Sequence, residues 1–112
     1  MPSLTASARS RYHEEMAAAH TATIAAQRWR HLERAHILSQ PDPILHTKNH
    51  VAMFIVAVRD HDRREALGQI LRIIVAAPGS LTGRYPEGNT GRTAAGLTTV
   101  MPIPADLAAF VK

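Results

Sequence analysis

With 112 residues, 46% apolar but only 4% aromatic, the chain is sized for one domain whose core must come from Ala, Leu, Ile, Val and Met. That composition favours packed helices over a β-sandwich, whose strands draw on β-branched and aromatic residues. The absence of cysteine excludes disulfides and thiolate metal sites, and the formal charge of +4 permits anionic partners without requiring them.

Helix 1 is expected from about Thr5 to His20, with a seam of Ala8, Tyr12, Glu15 and Ala19 at the spacing of one helical face. Thr21 and Thr23 offer a turn and an N-cap for helix 2, about Thr23 to Ser39, with Ala25, Trp29, Leu32 and His36 as its seam. Gln40 and Pro41 end it, because a residue before proline is pushed out of the helical region. Asp42-Pro43 opens helix 3, a capping acceptor followed by proline in the first turn. This helix runs to about Arg59, with His46, His50, Val51, Phe54, Ile55 and Val58 expected to face inward. Asp62 to Glu65 is a variant of the capping box and starts helix 4. Its apolar set is Ala66, Leu67, Ile70, Leu71, Ile73 and Ile74, and Ala77-Pro78-Gly79 is expected to stop it.

Beyond Gly79 the composition turns to Gly, Pro, Thr and Ser, with turn signals at Pro86-Glu87-Gly88 and Asn89-Thr90-Gly91. One more short helix fits Pro104 to Val111, with Leu107, Phe110 and Val111 free to dock. The expected fold is therefore all-α. It has about four antiparallel helices, as two αα-hairpins in a bundle or TPR-like arrangement, and residues 79–112 form an irregular tail packed on them. Trp29-x-x-Leu32 fits the opening of a tetratricopeptide repeat, but no second copy follows at a fixed period.

Seven histidines stand beside only nine acidic residues, and four of the chemically useful groups fall near one bend. Folding helix 2 onto helix 3 about Pro41 brings His36 opposite His46 and Glu33 near the level of His50. Glu33 and His36 are three residues apart and His46 and His50 four apart, so each pair shares a helix face. Such pairs are what helical metalloproteins project inward, and imidazole with carboxylate suits Zn, Fe, Co, Ni or Cu. Glu15, on the otherwise apolar seam of helix 1, is a further candidate ligand, although equal counting about the first turn sets it nearer Arg28 than Glu33. Glu65 is another, set against its capping role. The competing structural reading is that Glu33 and His36 only pair with Arg34, Lys48 or a neighbouring helix.

Other features carry less. His13, His20, His31 and His61 suit exposed or supporting positions, His31 being the best placed to join the site. Arg28, Arg30 and Arg34 form a basic face, as do Arg63 and Arg64, but no aromatic residue interleaves with them, so nucleic-acid binding is not expected. Gly88-Asn89-Thr90-Gly91 lacks the strand, lysine and helix of a phosphate loop and reads as a turn. Gln69 and Arg72 share a face of helix 4, where either can bind a buried carboxylate or a tail carbonyl. No apolar run is long enough to span a bilayer and no signal-peptide core precedes helix 1, so a cytoplasmic location is expected.

The run His31-Leu32-Glu33-Arg34-Ala35-His36-Ile37-Leu38 with Gln40, then His46, His50, Gly68-Gln69, Arg72, Gly88-Asn89-Thr90-Gly91 and Met101-Pro102-Ile103-Pro104-Ala105-Asp106-Leu107, resembles a bacterial family of small helical proteins known only as a domain of unknown function. The resemblance covers nearly the whole chain. It implies that the tail belongs to the domain and that an acidic residue stands at Glu15. Ala22-Thr23-Ile24 replaces the Gly-Asp turn of the family pattern, which leaves the level of Glu15 against helix 2 open.

The residues thus point first to a small transition-metal-binding protein in metal sensing, buffering or resistance, with Glu33, His36, His46 and His50 as ligands and Glu15 as a fifth. A small metalloenzyme handling oxygen or hydrolysis at the same site is the second reading. A metal-free helical interaction module is the third. Homodimerisation is compatible with all three, since so small a bundle leaves an apolar face uncovered.

Overall fold

In the computed structural model, which describes residues 4–111, four long helices are followed by a 3₁₀ turn and a short last helix, with no strand among the described residues. Helix α1 is Ala6–Thr21, and its first turn is capped by Thr5, whose Oγ1 accepts the Ala8 N–H at 3.1 Å. Ala8, Tyr12, Glu15 and Ala19 are its buried residues, the expected seam. Helix α2, Ala25–Ser39, begins without a side-chain cap: Ile24 holds the N-cap position and Thr23 lies outside it, exposed. Ala25, expected on the α2 seam, is exposed as well. Helix α3, Pro43–Arg59, starts as expected, with Asp42 Oδ1 accepting from the Ile44 and Leu45 N–H groups at 3.0 Å each.

Helix α4, Arg63–Thr82, departs from expectation at both ends. Asp62 accepts the Glu65 N–H at 3.1 Å, but the Glu65 carboxylate turns into the protein instead of closing the capping box. Pro78 does not stop the helix. It deprives the Ile74 carbonyl of its usual donor, on the exposed side of the helix. The true stop is Gly83, in the left-handed region with φ 70°, with the Arg84 N–H returning to the Gly79 carbonyl at 3.0 Å.

The α1–α2 and α3–α4 pairs are antiparallel hairpins, with α2 against α3. One apolar cluster joins Tyr12, Ala35, Leu38 and Leu45 to Leu107 of the tail, with Phe110 and Val111 beside it. A second joins Ala19, Trp29, Leu32, Met53 and Ala57. The tail folds back over α4 through the 3₁₀ turn Thr93–Ala95 and returns to α1–α2 as α5, Ala105–Ala108, where Arg34 pairs with Asp106. No helix among the described residues is long and apolar enough to cross a membrane.

The α3–α4 hairpin corrects one expectation outright. Val51, Ile55 and Val58 are exposed, as are Leu67, Ile70, Leu71 and Ile74, whereas α4 buries Glu65, Gln69, Arg72, Ala76 and Ser80. One helix can bury one stripe, and here the polar stripe is inside because its groups are matched by partners at the histidine cluster and the tail.

Candidate metal centre

The bend at Pro41–Asp42 sets the end of α2 beside the first turns of α3. His36, His46 and His50, all buried, meet there. Their Nε2 atoms form a nearly equilateral triangle: 3.1 Å from His36 to His50, 3.1 Å from His36 to His46 and 3.2 Å from His46 to His50. For metal–nitrogen bonds of about 2.0–2.1 Å, two ligands of a tetrahedral ion stand about 3.3 Å apart and two on one octahedral face about 2.9 Å. The observed spacing lies between the two.

The hydrogen bonds around the cluster fix where the ring protons are. His36 Nδ1 lies 2.6 Å from the Asn89 carbonyl, which can only accept, so Nδ1 carries the proton. His50 Nδ1 is 2.7 Å from Gln69 Oε1. The Gln69 amide nitrogen donates to Glu65 Oε2 at 2.8 Å and to the Gly91 carbonyl at 2.9 Å, which fixes the amide's orientation and makes Oε1 the acceptor. His46 Nδ1 meets Ser80 Oγ at 2.9 Å, and that hydroxyl gives its own proton to the Gln40 carbonyl. All three rings therefore donate from Nδ1, and all three Nε2 lone pairs point at one another.

Burial keeps the rings neutral. It pushes His46 down to about 3 and His50 to about 4, the neighbouring His50 adding to the effect on His46 and Arg72 to that on His50. His36 lies well below the ordinary histidine value, first through burial and then through its two neighbours. Three lone pairs facing one another with no proton between them make a cage complementary to a cation.

The carboxylates expected as ligands are elsewhere. Glu33 is one turn farther from the bend than His36, and Arg92 Nη1 donates to its Oε2 at 3.1 Å. Arg92 lies over the Trp29 ring, 3.8 Å from the centroid, and also donates from Nε to Glu65 Oε1 at 2.8 Å. Glu33 thus reaches the triangle only through Arg92, Glu65 and Gln69. Burial raises its carboxyl above the usual range, with Arg92 opposing. Glu15 lies in a separate ion cluster: Arg11 and Arg34 donate to Oε2 at 3.0 Å each, and His31 Nδ1 is 2.7 Å from Oε1. Level with His31 and Arg34, it stands about one turn closer to Glu33 than equal counting gave, because the hairpin pivots nearer Thr23. Its side chain nevertheless turns to the arginines. His13, His20 and His61 are exposed.

Glu65 is a supporting post. Burial alone would raise its carboxyl, but hydrogen bonds from Arg92, Gln69 and Thr93 outweigh this and hold it below the usual range. The Gly88–Gly91 segment is a turn with a purpose: Asn89 presents its carbonyl to His36, and the Asn89 amide donates to the Gly96 and Thr99 carbonyls. Gly91 has φ 83°, and a Cβ there would stand 2.6–3.0 Å from the His36 ring, so only glycine fits. Ser80 and Asn89 were not among the sequence candidates. A signal existed for Ser80 in the spacing of Glu65, Gln69, Arg72, Ala76 and Ser80, which is one helix face. For Asn89 there was none, because its role is played by a backbone carbonyl.

One side of the triangle opens on a cavity of about 390 Å³ whose walls include all three histidines, Arg72, Val75, Pro78, Tyr85 and Leu97. Fold and site together define an all-helical protein with a buried three-histidine cluster able to hold a metal ion. The chain belongs to the family described as Protein of unknown function (DUF3703), whose pattern matches residues 6–111. No curated protein and no solved structure matches it.

Proposed function

We propose that the protein binds one transition-metal ion on the Nε2 atoms of His36, His46 and His50. One observation carries this reading: three neutral imidazoles, each with its Nδ1 proton committed to an oxygen, aim three lone pairs into a common space. An all-imidazole set suits Zn, Co, Ni, Cu or Fe and offers no thiolate to favour soft Cu(I). The oxygens holding each Nδ1–H are the supports that orient a metal-binding histidine and raise its basicity. In this reading Glu33 and Glu15 are not ligands. Metal homeostasis or resistance, with the ion as cargo, is the role that requires nothing further.

A small metalloenzyme is the second reading, and the cavity favours it. Three protein ligands with a free position facing open space is the arrangement of catalytic sites, whereas structural sites are closed by a fourth ligand. An ion there supplies Lewis acidity or a bound water of lowered pKa.

The test is elemental analysis of untagged protein after loading with each metal and gel filtration. About one ion per chain is expected for the native protein and almost none for His46→Ala. If no metal is retained under any loading and chelator leaves stability unchanged, the metal-free interaction module replaces both readings.

A further inference from the structure

Arg72 is buried, and its guanidinium makes two contacts with backbone carbonyls, Nη1 with Gly68 at 3.1 Å and Nη2 with Thr93 at 3.4 Å. No carboxylate lies within ion-pair distance of it among the described residues. Glu65, the acid whose charge it feels, already accepts from Gln69, Arg92 and Thr93. Desolvating a cation without an anionic partner is costly, and such a group is commonly the anchor of an anionic ligand.

Arg72 lines the 390 Å³ cavity together with the three histidines and Arg84, and no Asp or Glu contributes to the wall. The remaining surface is largely apolar, from Val75, Ala76, Pro78 and Leu97. The volume is in the range of small-molecule pockets. We infer that this cavity binds a small organic carboxylate, its charge on Arg72 and its carbon chain against the Val75–Leu97 wall, within reach of an ion on the three histidines. This rests on the metal reading above. An inorganic oxyanion would satisfy the charge and leave the apolar wall unused.

The test uses the protein loaded with Co²⁺, whose visible bands report changes at the ion. Butyrate should change them saturably, while butyramide, its uncharged analogue, should not. Arg72→Gln should weaken the butyrate response at least tenfold at unchanged cobalt stoichiometry. A silent spectrum, equal responses to butyrate and butyramide, or a response to phosphate alone would overturn the carboxylate site while leaving the metal site standing. Failure to bind cobalt would remove both. If Arg72→Gln does not fold, the butyrate–butyramide comparison on native protein decides alone.

The opposite side of the same hairpin carries an independent inference. Between Ala66 and Thr82 the only charged residue of α4 is Arg72, and it is buried, so the exposed face of this stretch holds no charge. Leu67, Ile74 and Leu81 on α4, and Ile44, Val51 and Val58 on α3, recur every seven residues and are 39–69% exposed, with Ile55, Ile70 and Leu71 between them and Lys48 the one exposed charge within the α3 stripe. Each stripe lies half a turn from its helix's buried seam. From their fractional exposures these nine side chains leave aliphatic surface on the order of several hundred Å², more than scattered surface residues leave and approaching the ~800 Å² each partner contributes to a standard interface.

An apolar position every seven residues with a second one between, as at Leu67, Leu71 and Ile74 and at Val51, Ile55 and Val58, is the pattern by which helices pack against helices of the same kind. We infer that a second copy of this chain docks here, α3–α4 against α3–α4 about a two-fold axis, completing a four-helix layer. Light scattering on native protein at 10–100 µM should give twice the chain mass. Ile74→Glu, at an exposed position that folding does not require, should give the single-chain mass with unchanged helicity. A native monomer at these concentrations, or one that binds phosphatidylglycerol vesicles through this face, would overturn the dimer. So would a dimer that survives both Ile74→Glu and Leu67→Glu.

Discussion

In the α1–α2 hairpin the buried side chains are mostly apolar (Ala8, Tyr12, Ala19, Trp29, Leu32, Leu38), with Glu15 and His36 among the few polar ones. In α4 they are Glu65, Gln69, Arg72, Ala76 and Ser80, while Leu67, Ile70, Leu71, Ile74 and Leu81 point outward. The first hairpin is held by removal of carbon from water. The second turns its polar groups inward and satisfies them with one another, with the tail and with three imidazoles. The contrast separates the apolar seams of α1, α2 and α3, which make the fold, from the polar seam of α4, which supports the site; the three histidines stand between them on α2 and α3.

Acid should break the site-bearing half by the largest margin. In the metal-free protein the three histidines have folded-state pKa values depressed below the unfolded value of about 6.5, so the unfolded chain binds protons first. Stability is therefore full above about pH 6.5 and falls as pH drops toward 4, by more than about 1 kcal/mol per pH unit for each histidine. Urea unfolding at pH 7.5 and pH 5, in chelator, measures it; equal midpoints would mean the rings are not buried and neutral.

In the other half, Leu38→Ala removes a fully buried side chain of the apolar core and should cost about 2–5 kcal/mol in urea unfolding. Metal stoichiometry should remain at one per chain, which keeps fold and site separable. Gln69→Leu takes the acceptor from His50 Nδ1–H and frees that ring to turn. Metal affinity, read by chelator competition, should fall about 10–100-fold. Smallest of all is Glu33→Gln, which touches a part-exposed pair with Arg92 and should change affinity less than about threefold. A hundredfold loss would return Glu33 to the ligand set.

The local rules made much of this legible. Thr5 and Asp42 placed two helix starts, and the spacing of His46 and His50 about the Pro41 bend brought them to His36. What failed was the assumption that apolar residues of an amphipathic helix face inward, which misassigned Val51, Ile55 and Val58. Reading Pro78 as a stop hid Ser80, which sits on the extra turn and holds His46. Glu33 was drawn into the site by its spacing from His36. Arg92, which claims it, is 59 residues away in sequence, and no local pattern registers so distant a competitor.

X-ray absorption at the zinc edge of loaded, untagged protein asks most directly whether those three rings share one ion. Three imidazole nitrogens at about 2.0–2.1 Å with one further light ligand are expected. Two or fewer imidazoles, or a shell dominated by carboxylate oxygen, would contradict it.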